Sequence, residues 1–256
     1  MKYLALFVFL VNAVAGNALA GEDLFTNSLK EGEIAAKRGD VTRAVAIYNA
    51  VRTGQTNNAD HLCLLARCYC DLTCLTGSTA FQQELTTRAL ECAQQAATLD
   101  PRNATAHASV AVCYAKSCAF ADIKTELAYS RMFKQEAQRA IALDPKQDVA
   151  YYLLGRWNYG IASLGLFSRA YVKVVYGELP KASYQDAVAY FQKACGLAPN
   201  RILYHSGLAM AYDALGKEKL ELAELKTCCV LKPSDLEDVE VQKEAFSKIN
   251  QMHVNH

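Results

Sequence analysis

The sequence predicts an all-α protein: a right-handed superhelix of stacked helix pairs, with one inserted helix and a C-terminal capping helix. Three observations lead there. Small and apolar residues recur at helical spacing and run into a proline at Pro101, Pro145 and Pro199, and a fourth such stretch ends at Pro233. With 13 Gly and 5 Pro in 256 residues, the chain has too few turn residues for an all-β fold. Hydrophobic residues make up 52% and 27 Lys+Arg balance 26 Asp+Glu, which excludes a disordered tail, a collagen-like chain and a basic nucleic-acid-binding arm.

From the N-terminus, Lys2, the apolar run Tyr3 to Gly16 and the small residues up to Ala20 have the order of a secretory signal peptide. The expected organisation is therefore a leader over 1–20, with a retained membrane anchor as the alternative, followed by a single domain over 21–256. It places the body outside the cytoplasm, whether secreted, periplasmic or lumenal. Gly32 and Gly39-Asp40 then frame a first helix pair over Leu24–Lys37 and Val41–Arg52. After each proline a new apolar-periodic helix begins, at Ala104, Val149 and Ile202, because proline stops the preceding helix and turns the chain.

Pro199 to Pro233 is 34 positions, the tetratricopeptide period. Leu208, Ala209, Tyr212 and Gly216 fall at the large, small, aromatic and turn positions of that motif. Aligned sets are Leu65, Ala66, Tyr69; Val110, Ala111, Tyr114; and Leu154, Gly155. The small residue lets paired helices cross closely. Pro101 to Pro145 and Pro145 to Pro199 are longer, so the repeats carry insertions of about 10 and about 20 residues. The second contains Leu164, Phe167, Tyr171, Val174 and Val175, an apolar stripe at helical spacing. Asp235 to Ile249 reads as the capping helix. The count is five pairs, one inserted helix and one cap.

The stretch Leu154-Gly155-Arg156-Trp157-Asn158-Tyr159, the inserted helix, and Pro180-Lys181-Ala182-Ser183-Tyr184 running to Lys193-Ala194 resemble the regulator of microtubule dynamics family of tetratricopeptide-like proteins. Phe133 to Ala137, Pro145 to Gln147 and Asn200 extend the likeness, which covers roughly Cys63 to Ile249. The resemblance implies a non-catalytic helical protein whose eukaryotic relatives associate with microtubules and organelle membranes. An exported chain does not meet microtubules, so that partner applies only if the chain is not exported.

In tetratricopeptide folds the first helices of the pairs line a concave face. On the aligned helices this face is expected to display Arg67, Cys70, Tyr152, Arg156, Tyr159, Met210 and Asp213. Cys63, Arg67, Ala108, Val112, Tyr152 and Arg156 stand where a chaperone-tail clamp needs Lys and Asn, so that clamp is not expected. Arg67 and Arg156 either grip a carboxylate or phosphate or are plain exposed or internally paired arginines. The inserted helix, with Phe167, Arg169, Tyr171 and Lys173, packs in the core, narrows the groove or lies against lipid.

Ten Cys lack any C-x-x-C motif, so neither a zinc knuckle nor a thioredoxin-like site is expected. Cys68 and Cys113 occupy equivalent places in adjacent repeats and are the pair to test for a disulfide. Asn103-Ala104-Thr105 is an N-glycosylation sequon. No His/Asp/Glu cluster, Gly-rich phosphate loop or nucleophile elbow appears, so no catalytic residue, metal or cofactor is expected. The leading function is a non-enzymatic scaffold holding a protein or peptide in the groove. The alternative is a lipid or amphiphile carrier with the inserted helix covering the groove. Nucleic acid is not an expected partner.

Overall fold

The computed structural model describes residues 24–54, 57–176 and 181–254. The predicted leader over 1–20 lies outside them. The described residues form twelve α-helices: α1 (24–37), α2 (Val41–Thr53), α3 (Ala59–Leu72), α4 (Thr79–Leu99), α5 (Ala104–Ser117), α6 (Ile123–Leu143), α7 (Asp148–Ala162), α8 (Leu166–Tyr176), α9 (Tyr184–Leu197), α10 (Ile202–Ala214), α11 (Glu218–Val230) and α12 (Leu236–Val254). The five predicted pairs are α1/α2, α3/α4, α5/α6, α7/α9 and α10/α11, and they form the predicted tetratricopeptide-like superhelix. The inserted helix is α8 and the cap is α12. The first insertion becomes a 3-10 turn, Cys118–Phe120, and a long α6 of 21 residues. Among the described residues, no helix is long and apolar enough to cross a membrane.

Local chemistry sets the boundaries. Asp40, Asn58, Ser78, Asn103, Asp122 and Ser183 cap their helices by accepting a hydrogen bond from a backbone N–H in the first turn. Gly39 and Gly216 turn the chain within pairs one and five at φ of 80° and 65°, where a side chain would be strained.

Packing then repeats from pair to pair. Three motif tyrosines each meet an amide side chain 20 positions earlier, on the second helix of the preceding pair. Tyr69 Oη donates to Asn49 at 2.7 Å, Gln94 donates to Tyr114 at 3.0 Å, and Gln192 donates to Tyr212 at 3.1 Å. Pair four carries Asn158 at that position, bonded instead to its own helix at Leu154 O. A second device occurs twice. His107 bridges Glu136 (2.5 Å) and the Pro101 carbonyl (3.0 Å), and His205 bridges Glu224 (2.7 Å) and the Pro199 carbonyl (2.9 Å). Each ties both helices of a pair to the proline turn that precedes it.

The cap is fixed at three places. Asp238, fully buried on α12, accepts from Leu203 N (3.1 Å), Ser234 N (3.0 Å) and Ser234 Oγ (2.5 Å). It supplies the N-terminal cap of α10 that Arg201, the residue at that end, does not. Gln242 donates to the carbonyls of Cys228 and Leu231, both at 2.8 Å, closing the end of α11. Lys248 joins Asp213 (2.8 Å) on α10 to the buried Glu221 (2.7 Å) on α11.

Two of the side-chain sites read from the sequence take part in the packing. All ten cysteines are free, and Cys113 faces Cys70, with Sγ atoms 3.9 Å apart, instead of Cys68. Equivalent residues on neighbouring repeats point the same way, so a contact between the helices joins non-equivalent positions. Cys68 lies instead against the Tyr48 hydroxyl. Asn103 spends its whole amide on structure: Oδ1 accepts from Ala106 N at 3.0 Å and Nδ2 donates to Asp60 at 2.8 Å. A glycan on Nδ2 would displace that second bond.

Candidate functional site: a charged concave face

The first helices of pairs two to four carry a stripe at matched positions. Arg67 on α3, Val112 on α5 and Arg156 on α7 are equivalent in the repeat, and one turn further along lie Asp71, Lys116 and Gly160. The i,i+4 spacing keeps both rows on one helix face. Arg67 and Arg156 are exposed, whereas Val112, Asp71 and Lys116 are half-buried.

Not every predicted groove residue reaches this surface. Cys70 is buried against Cys113, and Tyr152 is buried with its ring stacked on Tyr204 (5.2 Å between centroids) and beside Phe191. These two belong to the core, because one helix turn presents only part of its circumference to the groove. The Tyr152 hydroxyl still accepts from Arg156 Nη1 at 3.1 Å and so aims the guanidinium. Tyr159 is half-buried against Tyr184. Met210 is half-buried, and exposed Asp213 is engaged by Lys248. Trp157 is buried, with Lys134 Nζ 3.6 Å from its ring centroid, a structural placement.

Three residues outside the sequence reading complete the face: Asp71, Lys116 and Glu237. Lys116 Nζ donates to Glu237 Oε1 at 3.3 Å, across 121 positions of chain. Glu237 lies in the first turn of α12, so the start of the cap reaches the first helix of the third pair. Burial works against the charge on Lys116, yet Glu237 holds its pKa above the ordinary lysine value. Burial, then the like charge of Asp235, push the Asp71 carboxyl up to about 7, with Arg67 and Lys116 opposing. Arg156 is held firmly charged by the Tyr152 hydroxyl first, burial opposing, with Glu237 adding to the effect. The signal for Lys116 and Asp71 was the i,i+4 continuation of the arginine stripe; no local pattern marks Glu237.

On the inserted helix α8, Val172 is buried, whereas Arg169, Tyr171, Lys173 and Val174 are exposed. The side chain of Phe167 lies outside the described part.

Comparison with known proteins decides the family. The family described as Regulator of microtubule dynamics protein 1-3 matches residues 28–253. The chain belongs to this family. Regulator of microtubule dynamics protein 1 of Bos taurus is 29% identical over 199 residues, covering 75% of this chain and 61% of that protein. The same-named protein of Pongo abelii is 26% identical, covering 85% of this chain and 69% of its own length. The chain thus spans roughly two thirds of these relatives. Among solved structures, a thermophilic TPR protein of Thermus thermophilus superposes with a TM-score of 0.59 at 17% identity, covering 87% of this chain and 98% of that one. That likeness shows the fold.

Membership in the regulator of microtubule dynamics family also corrects the expected location. Its relatives are named for a polymer of the cytoplasm, and this overturns the extracytoplasmic placement drawn from residues 1–20. Family and fold together support a TPR-type protein-interaction scaffold, and they fit a non-catalytic protein.

Proposed function

We propose that this regulator of microtubule dynamics family member holds a protein or peptide segment on its concave face, without catalysis. The supporting observation is the alignment of Arg67, Lys116 and Arg156, from three successive pairs, on one face. Guanidinium groups bind carboxylates in bidentate geometry. The relatives' names direct the search for partners to microtubule-associated proteins and tubulin. A photo-crosslinking residue at position 160, exposed one turn beyond Arg156, is expected to join the partner through the groove, and Arg67→Glu with Arg156→Glu to abolish the crosslink while helicity is unchanged. Undiminished capture by the double variant would overturn the groove assignment.

A second reading concerns α8. Tyr171 and Val174 are 42% and 85% exposed, on a helix that also exposes Arg169 and Lys173. An apolar face beside basic residues suits a lipid or amphiphile surface. Co-sedimentation with anionic vesicles that is lost on Val174→Asp would support it.

A further inference from the structure

The start of α12 bears on what the concave face selects. Ser234-Asp235-Leu236-Glu237-Asp238 is a short acidic segment with one apolar residue between carboxylates. Its residues divide into anchors and a probe. Asp238 is committed to capping α10, and Asp235 pairs with Arg201 at 2.5 Å. Glu237 has no such local duty: its side-chain partner is Lys116, on the third pair. Asp71 on α3 senses both Asp235 and Glu237, and Arg156 on α7 senses Glu237. That carboxylate therefore bonds Lys116 on pair three and stands within electrostatic reach of Arg156 on pair four, with Asp71 on pair two opposing it.

We propose that the Asp235–Asp238 turn is an intramolecular occupant of the groove, and that the partner segment is an acidic peptide that replaces Glu237 on Lys116 and reaches Arg156. This rests on the groove reading above and narrows it to a partner chemistry. The occupant is tethered a few residues from its anchors, so it competes at an effective concentration on the order of millimolar. A partner must beat that concentration, which makes the face selective for segments with more than one carboxylate. The contact is electrostatic and partly exposed, so competition weakens as salt rises.

The probe is a fluorescent hexapeptide of the chain's own sequence, Ser-Asp-Leu-Glu-Asp-Val, added to the full chain at low ionic strength. It is expected to bind Glu237→Ala about tenfold or more tightly than the natural chain, the gain being release of the tethered competitor. Lys116→Glu in the Glu237→Ala background should abolish binding, and a peptide with Asn and Gln in place of Asp and Glu should not bind. Glu237→Gln, which keeps the side chain's size, repeats the test should Glu237→Ala disturb the fold. A merely structural Glu237 would change the melting temperature and leave peptide affinity unmoved. Equal affinity for the natural and Glu237 variant chains, or no binding to either, overturns the proposal. Partner crosslinks at position 160 with no hexapeptide binding would retain the groove and remove the acidic chemistry; loss of both would remove both readings.

Discussion

Gly155 on α7 meets the ring of Phe191 on α9 with no room for a β-carbon: a Cβ added there would stand 2.6 Å from Cδ1 and Cε1 of that ring. Gly207 on α10 faces the same ring, with an added Cβ 2.8 Å from Cε1. Phe191 is fully buried, held between the first helices of two successive pairs. The two glycines set how closely pairs four and five stack, and so the curvature of the concave face between them.

Gly155→Ala tests this directly. Alanine favours a helix over glycine by ~1 kcal/mol, whereas overpacking a filled core costs ~1–3 kcal/mol. The added carbon would stand well inside contact distance of a fully buried ring, so the clash wins and a net loss of up to about 2 kcal/mol is expected in chemical denaturation. Phe191→Leu added to Gly155→Ala should recover part of the loss. An unchanged or raised denaturation midpoint in the single variant would show that the ring yields.

The repeat made most of this fold legible: a proline and a small residue recur because each pair solves the same crossing problem. Arg67 and Arg156 were visible for the same reason. Side-chain partners between pairs were harder to read. Cys68 and Cys113 are equivalent in sequence, but equivalence means parallel direction, and Cys70 is the residue facing Cys113. Burial of Tyr152 depends on Tyr204 and Phe191 closing over its ring. Glu237 was invisible in principle, since its meeting with Lys116 depends on the accumulated curvature of the intervening pairs.

Asp238 offers a second stability test. Asp238→Ala removes the charged acceptor for Leu203 N and for both donors of Ser234, three part-buried hydrogen bonds at once. A loss of roughly 2–4 kcal/mol is expected, with the ends of α10 and α12 the first to exchange amide hydrogens. Asp235→Ala removes the pair with Arg201 and the acceptor for Asp238 N (2.9 Å) that caps α12, and should cost about 1 kcal/mol. Equal effects of the two variants would contradict the capping role of Asp238.

Stability should depend on pH through His205. Its hydrogen bond to Cys195 first, then that to Glu224, raise its pKa from 6.5 to about 10, against the opposing effect of burial. The folded state therefore holds a proton that the unfolded state releases. The contribution is fully present below pH 6.5 and is lost as pH rises toward 10. His205→Gln should remove this slope over that window. A natural chain whose unfolding free energy is flat from pH 6.5 to 10 relative to the variant would refute it.

Asp71 acts through burial on a window of its own. Burial and Asp235 raise its carboxyl from 3.8 to about 7, so the folded state again holds a proton more tightly than the unfolded one, but here ionisation is what the fold opposes. Stability falls as pH rises from 3.8 to 7 and levels off above. Asp71→Asn should flatten that limb and raise stability at pH 7 and above. Because Asp71 faces Asp235 and Glu237, the same substitution should also strengthen the hold of the α12 start on the groove, slowing amide exchange there at pH 8. A variant that left both the pH limb and the exchange unchanged would show that Asp71 is as well solvated as a surface carboxylate.

Thiol chemistry gives the last prediction. Six cysteines are buried: Cys63, Cys68, Cys70, Cys92, Cys113 and Cys228. Burial pushes the thiols of Cys63 and Cys92 up to about 11, and those of Cys68 and Cys228 to about 12. At pH 8 a thiol of pKa 11 is about one-thousandth thiolate, the reactive form. Alkylation of the native chain should reach exposed Cys74 first, and these six only on unfolding. Mass spectrometry of the natively alkylated, then denatured and relabelled chain should account for ten free thiols. Early labelling of Cys70 or Cys113 would mean that the contact between pairs two and three opens under native conditions, and a mass two hydrogens short across Cys68 and Cys113 would restore the disulfide that their equivalence suggests.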